Sequence, residues 1–386
     1  WEQRKLGTAI KIIKDKNKNQ HSYRAFSISN IKGFIAQDEQ FGKDNTYSKT
    51  DKSTNYIVKP GMFAYNPARI NVGSIAYQNQ TEPVLVSSLY EIFQTNSKID
   101  DSFLMNWFKT SLFNRQIKRL EEGGVRQYFF IDKMKETEIK LPSISEQNQI
   151  SKLLQLVNKN LDLQQRKVKI LVLLKKEISN YYFSPSYLSR SCKENSFKEI
   201  FTVVTDYVAN GSFKSLRENV KTNTKQGYAY MIRLQDASNN WKGPWLYTDK
   251  SGYNFLKKSK IYPGDIVMSN VGSVGKIIRI PKLSKPMTLA PNAILLRSTK
   301  YDNDFLYELL KSDYGKNKIK RMTTPGVQNK INKTDFKKIK VHLPNSQEQK
   351  RISCLLTNMN ILIHKVKSNI SQKQKLKQFL LQNMFI

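Results

Sequence analysis

The residue types that usually do chemistry are scarce in this chain. Its histidines are His21, His342 and His364, and none stands with Cys, Asp or Glu at metal-ligand spacing, so no metal site is predicted. Cys192 and Cys354 are too few and too far apart for a disulfide framework and point to a reducing, cytoplasmic compartment. Asn66-Pro67-Ala68-Arg69 approaches the Asp/Asn-Pro-Pro-aromatic run with which a DNA amino-methyltransferase holds its target base. It lacks the second proline and the aromatic. The run from Asn270 to Lys276 resembles a phosphate loop but misses the GxxxxGK[ST] spacing, so it reads as a tight strand connection. With no catalytic constellation and no cofactor site, recognition is the chemistry left.

The charge says what is recognised. Lys and Arg number 65 against 31 Asp and Glu, a formal charge of +34 over 386 residues, far beyond what solubility needs. A polyanion is the implied partner, with nucleic acid as the default. A membrane is disfavoured, because no apolar run of about 18 residues or more is present. The chain opens on Trp1 rather than Met, which points to a segment missing upstream.

The elements that must position any contact residues are given away by a repeat. The segment from Ile139 to Phe183 returns 202 residues later as Val341 to Phe385. Leu141-Pro142, Glu146-Gln147 and Ile150 match Leu343-Pro344, Glu348-Gln349 and Ile352. Ser143 with Glu146, and Asn345 with Glu348, have capping-box spacing and open a helix in each copy. Both helices carry a heptad-like pattern. The first seam is Ile150, Leu154, Val157, Leu161, Gln164, Val168, Leu171, Lys175, Ile178 and Tyr182. The second is Ile352, Leu356, Met359, Ile363, Val366, Ile370, Lys373, Lys377, Leu380 and Met384. Patterns this long exceed ordinary globular helices and predict a coiled coil. The helices carry only +4 and +6 of the charge (seven basic and three acidic residues over 146–183, seven and one over 348–385), leaving +24 elsewhere.

Residues 1 to about 140 and about 196 to 340 read as units of short strands, which makes the fold class α+β. Strand candidates are 23–28, 55–58, 63–65, 74–77 and 89–93, then 228–234, 265–268, 276–280 and 292–296. Lys59-Pro60-Gly61 and Tyr262-Pro263-Gly264 are matching turns. Each unit then offers one amphipathic core helix, from Asp101 to Leu112 and from Asn303 to Leu310. After it comes Gly124-Val125-Arg126-Gln127 or Gly326-Val327-Gln328-Asn329, again offset by 202. Residues 20–55 and 205–260, by contrast, share little beyond charge and aromatics. The polar, Pro-containing run 184–196 reads as a linker.

Taken together, Trp1-Glu2-Gln3-Arg4-Lys5-Leu6-Gly7, the Leu-Pro-x-x-x-Glu-Gln signature present twice and the repeated plan resemble the specificity subunit of a type I restriction-modification system. The resemblance implies two target-recognition domains, 1–142 and 197–344, with spacer helices 143–183 and 345–386. It implies that each domain reads half of a bipartite DNA site. It also implies two modification subunits that bring S-adenosylmethionine and methylate adenine, and restriction subunits that use ATP and Mg²⁺. Paired seams make the helices antiparallel, with the domains related by a pseudo-twofold axis. A helix of about 38 residues is roughly 57 Å long, and half-sites on one face of DNA fall near 34–36 Å apart. Arg and Lys suit guanine, Asn and Gln suit adenine. The candidate base contacts are Arg24, Lys49, Arg69, Arg126 and Gln127, then Lys214, Arg217, Arg233, Gln328 and Asn329, with Tyr47 and Tyr253 as possible stacking residues. Two other classes remain: a stand-alone DNA-modifying or DNA-cleaving enzyme, and a basic coiled-coil adaptor.

Overall fold

A computed structural model of the chain describes residues 1–41, 52–120, 128–191 and 193–385. By internal contacts it divides into unit 1, Trp1–Gln165 with Ser368–Ile386, and unit 2, Arg166–Lys367.

Unit 1 contains β1 (Glu2–Lys5), β2 (Ile10–Ile13), β3 (Phe26–Ser29), β4 (Gly33–Ala36), β5 (Tyr56–Val58), β6 (Met62–Tyr65), β7 (Ile75–Tyr77), β8 (Val84–Val86), β9 (Glu91–Thr95) and β10 (Glu138–Leu141). An antiparallel sheet of order β2-β9-β6-β7 is its frame, β1 pairs with β10, and the pairs β3-β4 and β5-β8 lie outside that frame. Phe63, Tyr65 and Phe93 from the frame pack with Phe103, Trp107 and Phe113 in one core.

Unit 2 contains β11 (Lys193–Ser196), β12 (Val203–Asp206), β13 (Thr222–Asn223), β14 (Ala229–Ile232), β15 (Tyr247–Thr248), β16 (Lys260–Ile261), β17 (Ile266–Ser269), β18 (Ile277–Arg279), β19 (Met287–Leu289), β20 (Ala293–Arg297) and β21 (Lys340–Leu343). Its frame has the same order, β12-β20-β17-β18, and β11 pairs with β21 as β1 does with β10. The shared Pro-Gly turns enter β6 and β17 with Gly61 at φ 87° and Gly264 at φ 90°, left-handed conformations that favour glycine. What differs is the accessory layer. In unit 2 it is a five-stranded sheet, β13-β15-β14-β19-β16, with β14 and β19 parallel. The frame thus accounts for the repeat, and the accessory strands for the divergent stretches.

The first long helix spans Ile144–Tyr182 and the second Ser346–Asn383. Within unit 1, Ile150 and Leu154 near the start of the first share a core with Leu380, Leu381 and Met384 at the end of the second. Within unit 2, Ile178 and Tyr182 share one with Ile352 and Leu356. The helices are therefore antiparallel. All the seam positions named from the heptads are buried or half-buried, including Gln164, Lys175, Lys373 and Lys377.

Three expectations change. Helices and readers do not separate into domains, because each unit draws stretches of both helices into its core. The run 184–196 is no linker: it holds a helix, Pro185–Ser191, with proline at the first helical position, and then β11. Leu6 N–H donates to Thr137 O and Phe197 N–H to Ile339 O, which aligns the opening of unit 2 with that of unit 1. Finally, the core helix expected from Asp101 to Leu112 is two, Asp101–Trp107 and Ser111–Leu120, whereas the one expected from Asn303 to Leu310 forms as Asn303–Lys311, and a further helix, Asp313–Arg321, follows it. The hydroxyls of Thr110 and Ser312 accept the Phe113 and Gly315 amides and restart the helix.

Candidate nucleic-acid interface

The twice-present Leu-Pro-x-x-x-Glu-Gln signature joins helix to reader. Gln147 is buried; its amide nitrogen donates to Pro142 O at 3.0 Å and its oxygen accepts Asp100 N–H at 2.8 Å. Gln349 repeats both bonds, to Pro344 O at 2.8 Å and from Asp302 N–H at 3.3 Å. Asp100 and Asp302 in turn cap the first core helix, each accepting a Phe amide at 2.7 Å. Only half of each expected capping box forms. Ser143 and Asn345 accept the N3 amides, but the Glu146 carboxylate accepts Trp1 Nε1–H at 3.0 Å and that of Glu348 accepts the Tyr187 hydroxyl at 2.6 Å.

A second equivalence places the candidate contact loops. In unit 1 the β6–β7 connection, 66–74, carries Arg69, and Phe129 N–H donates to Pro67 O at 3.1 Å. In unit 2 the β17–β18 connection, 270–276, receives Ile331 N–H on Asn270 O at 3.1 Å, and Gly272 N–H donates to Asn329 O at 2.9 Å. The connection 270–276 is the tight strand link read from the sequence, with Gly272 and Gly275 at φ 74° and 84°. In each unit, then, a hairpin connection of the frame is stitched to the segment just past the Gly-Val motif.

The candidate contacts divide on this geometry. Arg69 is exposed on its connection, and Gln328 and Asn329 are exposed beside theirs, with no side-chain hydrogen bond among the described residues. Lys214 and Arg217 are exposed on the short helix Phe213–Asn219, away from the frame hairpins in sequence. Lys49, Arg126, Gln127 and Tyr47 lie outside the described residues.

Two candidates are not free forks. Arg24 pairs with Asp38 at 2.7 Å and Glu39 at 2.8 Å; the hydrogen bonds hold its guanidinium above, and the Asp38 carboxyl below, their ordinary pKa ranges. Arg233 binds the fully buried Asp236 at 2.7 Å and Pro244 O at 2.7 Å. A buried carboxylate needs a fixed cation, and that need occupies the donors Arg233 would offer a guanine. Tyr253 is half-buried, with Lys260 Nζ 4.5 Å from its ring centroid, and burial raises its pKa.

The sequence reading missed other residues. The rings of Tyr128 and Phe130 stack at 5.5 Å and 6° on either side of the buried Phe129, and Phe130 is 45% exposed. The alternation Tyr-Phe-Phe after Gln127 was the available signal. Val327 is fully exposed.

A family profile for the type I restriction modification DNA specificity domain matches the chain twice, over residues 1–174 and 192–373. The chain belongs to that family. It is similar to a putative type I restriction enzyme MjaX specificity subunit of Methanocaldococcus jannaschii, 24% identical across 98% of this chain and 91% of that one. Its fold is shared with two solved structures. The HsdS subunit of Thermoanaerobacter tengcongensis has a TM-score of 0.57 at 15% identity, over 100% of this chain and 96% of that one. The S subunit of a type I restriction-modification system from M. genitalium gives 0.56 at 16%, with the same coverage. As a specificity subunit, the protein supplies the DNA-recognition domains of a restriction-modification system. Among the described residues no helix is long and apolar enough to cross a membrane, and no group of three or more His, Cys, Asp or Glu could hold a metal.

Proposed function

We propose that each unit reads one half of a bipartite, gapped duplex site, that the long helices set the gap and dock two modification subunits, and that the chain itself catalyses nothing. One observation carries this. Two frames of identical strand order bear different accessory sheets, which is what two readers of unlike half-sites on one scaffold require. Phosphate contacts from the exposed basic residues hold the duplex, and a few side chains on the accessory layers and the stitched loops supply base information. S-adenosylmethionine belongs to the modification subunits, ATP and Mg²⁺ to restriction subunits, and the assembly works in the cytoplasm.

The test is to map methylated adenines in cells carrying this subunit with its modification partner. One gapped motif with two unrelated halves is the expected result. Methyl transfer or cleavage by the purified chain alone, given DNA, Mg²⁺ and S-adenosylmethionine, would refute the non-catalytic assignment. Inserting about one heptad into both helices should lengthen the gap while preserving the half-sites; an unchanged gap refutes the ruler.

A further inference from the structure

The loop after the second core helix pair is built to present one apolar side chain. Thr324 and Lys330 close it with two backbone hydrogen bonds, Thr324 N–H to Lys330 O at 2.8 Å and Lys330 N–H to Thr324 O at 3.1 Å. Asn329 O and Ile331 N–H then fasten its base to the connection 270–276. The tip, Pro325-Gly326-Val327-Gln328-Asn329, is exposed throughout, with Val327 fully exposed. Stable fastening beneath a bare valine needs a reason, since no described residue of the unit covers that side chain. The surrounding sequence supplies a charge argument: residues 314–334 hold six Lys or Arg and no Asp or Glu, and although Lys316 pairs with Asp313 and Lys333 with Asp206, the stretch stays net positive. That charge favours a polyanion beside the loop. Gln328 and Asn329, next to the valine, have free amides of the kind that pair with adenine in the major groove. The apolar feature of that groove is the thymine C5-methyl group.

We propose that Val327 is a specificity-determining residue that contacts a thymine methyl group in the half-site read by unit 2, beside adenine contacts from Gln328 and Asn329. This rests on the half-site reading proposed for each unit. The sequence places Val125 at the corresponding position in unit 1, outside the described residues.

The experiment uses the subunit assembled with its modification partners and duplexes carrying the mapped site, with each thymine of one half-site replaced in turn by deoxyuridine, which lacks only the methyl. At one position in the unit 2 half-site the replacement should weaken binding by about fourfold, the effect of one buried methyl. Val327→Ala should abolish that discrimination while binding of scrambled duplex stays unchanged. Val327→Ile should retain it. The inference is overturned if no deoxyuridine in that half-site weakens wild-type binding, or if Val327→Ala discriminates as wild type does. Loss of all preference for the gapped site over scrambled duplex in the wild-type assembly would instead refute half-site reading itself.

Discussion

Glu308 offers the most direct test of how a reader is fixed to the helices. Its side chain is 4% exposed and sits in unit 2 between the two long helices, accepting from Lys175 Nζ at 3.0 Å and from Asn360 Nδ2 at 2.9 Å. Removing one partner of a buried pair costs about 3–5 kcal/mol, mostly from the charge left behind. Lys175 is 17% exposed, so its ammonium keeps a path to water and Glu308→Ala should fall near the lower end, about 3 kcal/mol. Lys175→Met strands a carboxylate with less access and should cost about 4 kcal/mol. Replacing both by Met and Leu removes both desolvation costs, and the double variant should lie within about 1 kcal/mol of wild type. For a unit of this size each kcal/mol moves the transition by about 2–4 °C, so Glu308→Ala should lower it by about 6–12 °C. Calorimetry, with hydrogen exchange to assign the transition to unit 2, reads this. The position 202 residues earlier is Asn106, whose amide donates to Ser102 O at 2.9 Å, so Asn106→Ala should cost only about 1 kcal/mol. Additivity of the two single substitutions within about 0.5 kcal/mol would show that Lys175 and Glu308 are not coupled and would refute the reasoning.

Arg233→Ala should destabilise unit 2 by about 3–5 kcal/mol in urea unfolding, because Asp236 is fully buried. Arg233→Lys should recover only part of this, since an ammonium cannot reproduce the fork; a neutral Arg233→Ala would return that residue to the pool of base readers. Glu91 is held above its ordinary carboxylate range by burial. Its protonated form is therefore favoured in the folded state, and its stabilising effect is greatest at low pH and declines as pH rises above about 4.5. Glu91→Gln should raise the midpoint of thermal unfolding at pH 7, with the gain shrinking as pH falls toward 4; a gain independent of pH would exclude titration of Glu91 as its cause.

The repeat, the long helices and most frame strands were legible because each leaves a local mark. The seams follow a heptad, β6, β17 and β20 are largely apolar runs, and β9 is centred on Ile92-Phe93. The polar strand β11, Lys-Glu-Asn-Ser, carries no such mark, because a two-stranded pair at the surface needs backbone partners rather than apolar side chains. β13 and β15, two residues each, are too short to show an alternation. Among candidate contacts, residue type identified Arg24 and Arg233 as readily as Gln328 and Asn329. Only the neighbours separate them: carboxylates occupy the first pair, and the second pair stands free on a fastened loop.

Sequence by itself determined that there are two units on one plan, that long antiparallel helices link them, and that the partner is a polyanion. These follow from periodicity, from a fixed offset and from net charge, which survive without coordinates. Tertiary structure decided that each reader absorbs stretches of both helices, that the Gln147 and Gln349 amides lock helix to reader, and which cations are already paired. The first two outcomes depend on residues distant in the chain meeting at about 3 Å, as Gln147 does Asp100; the third depends on local geometry, since even Asp236, three residues from Arg233, pairs with it only because the backbone turns the two side chains together.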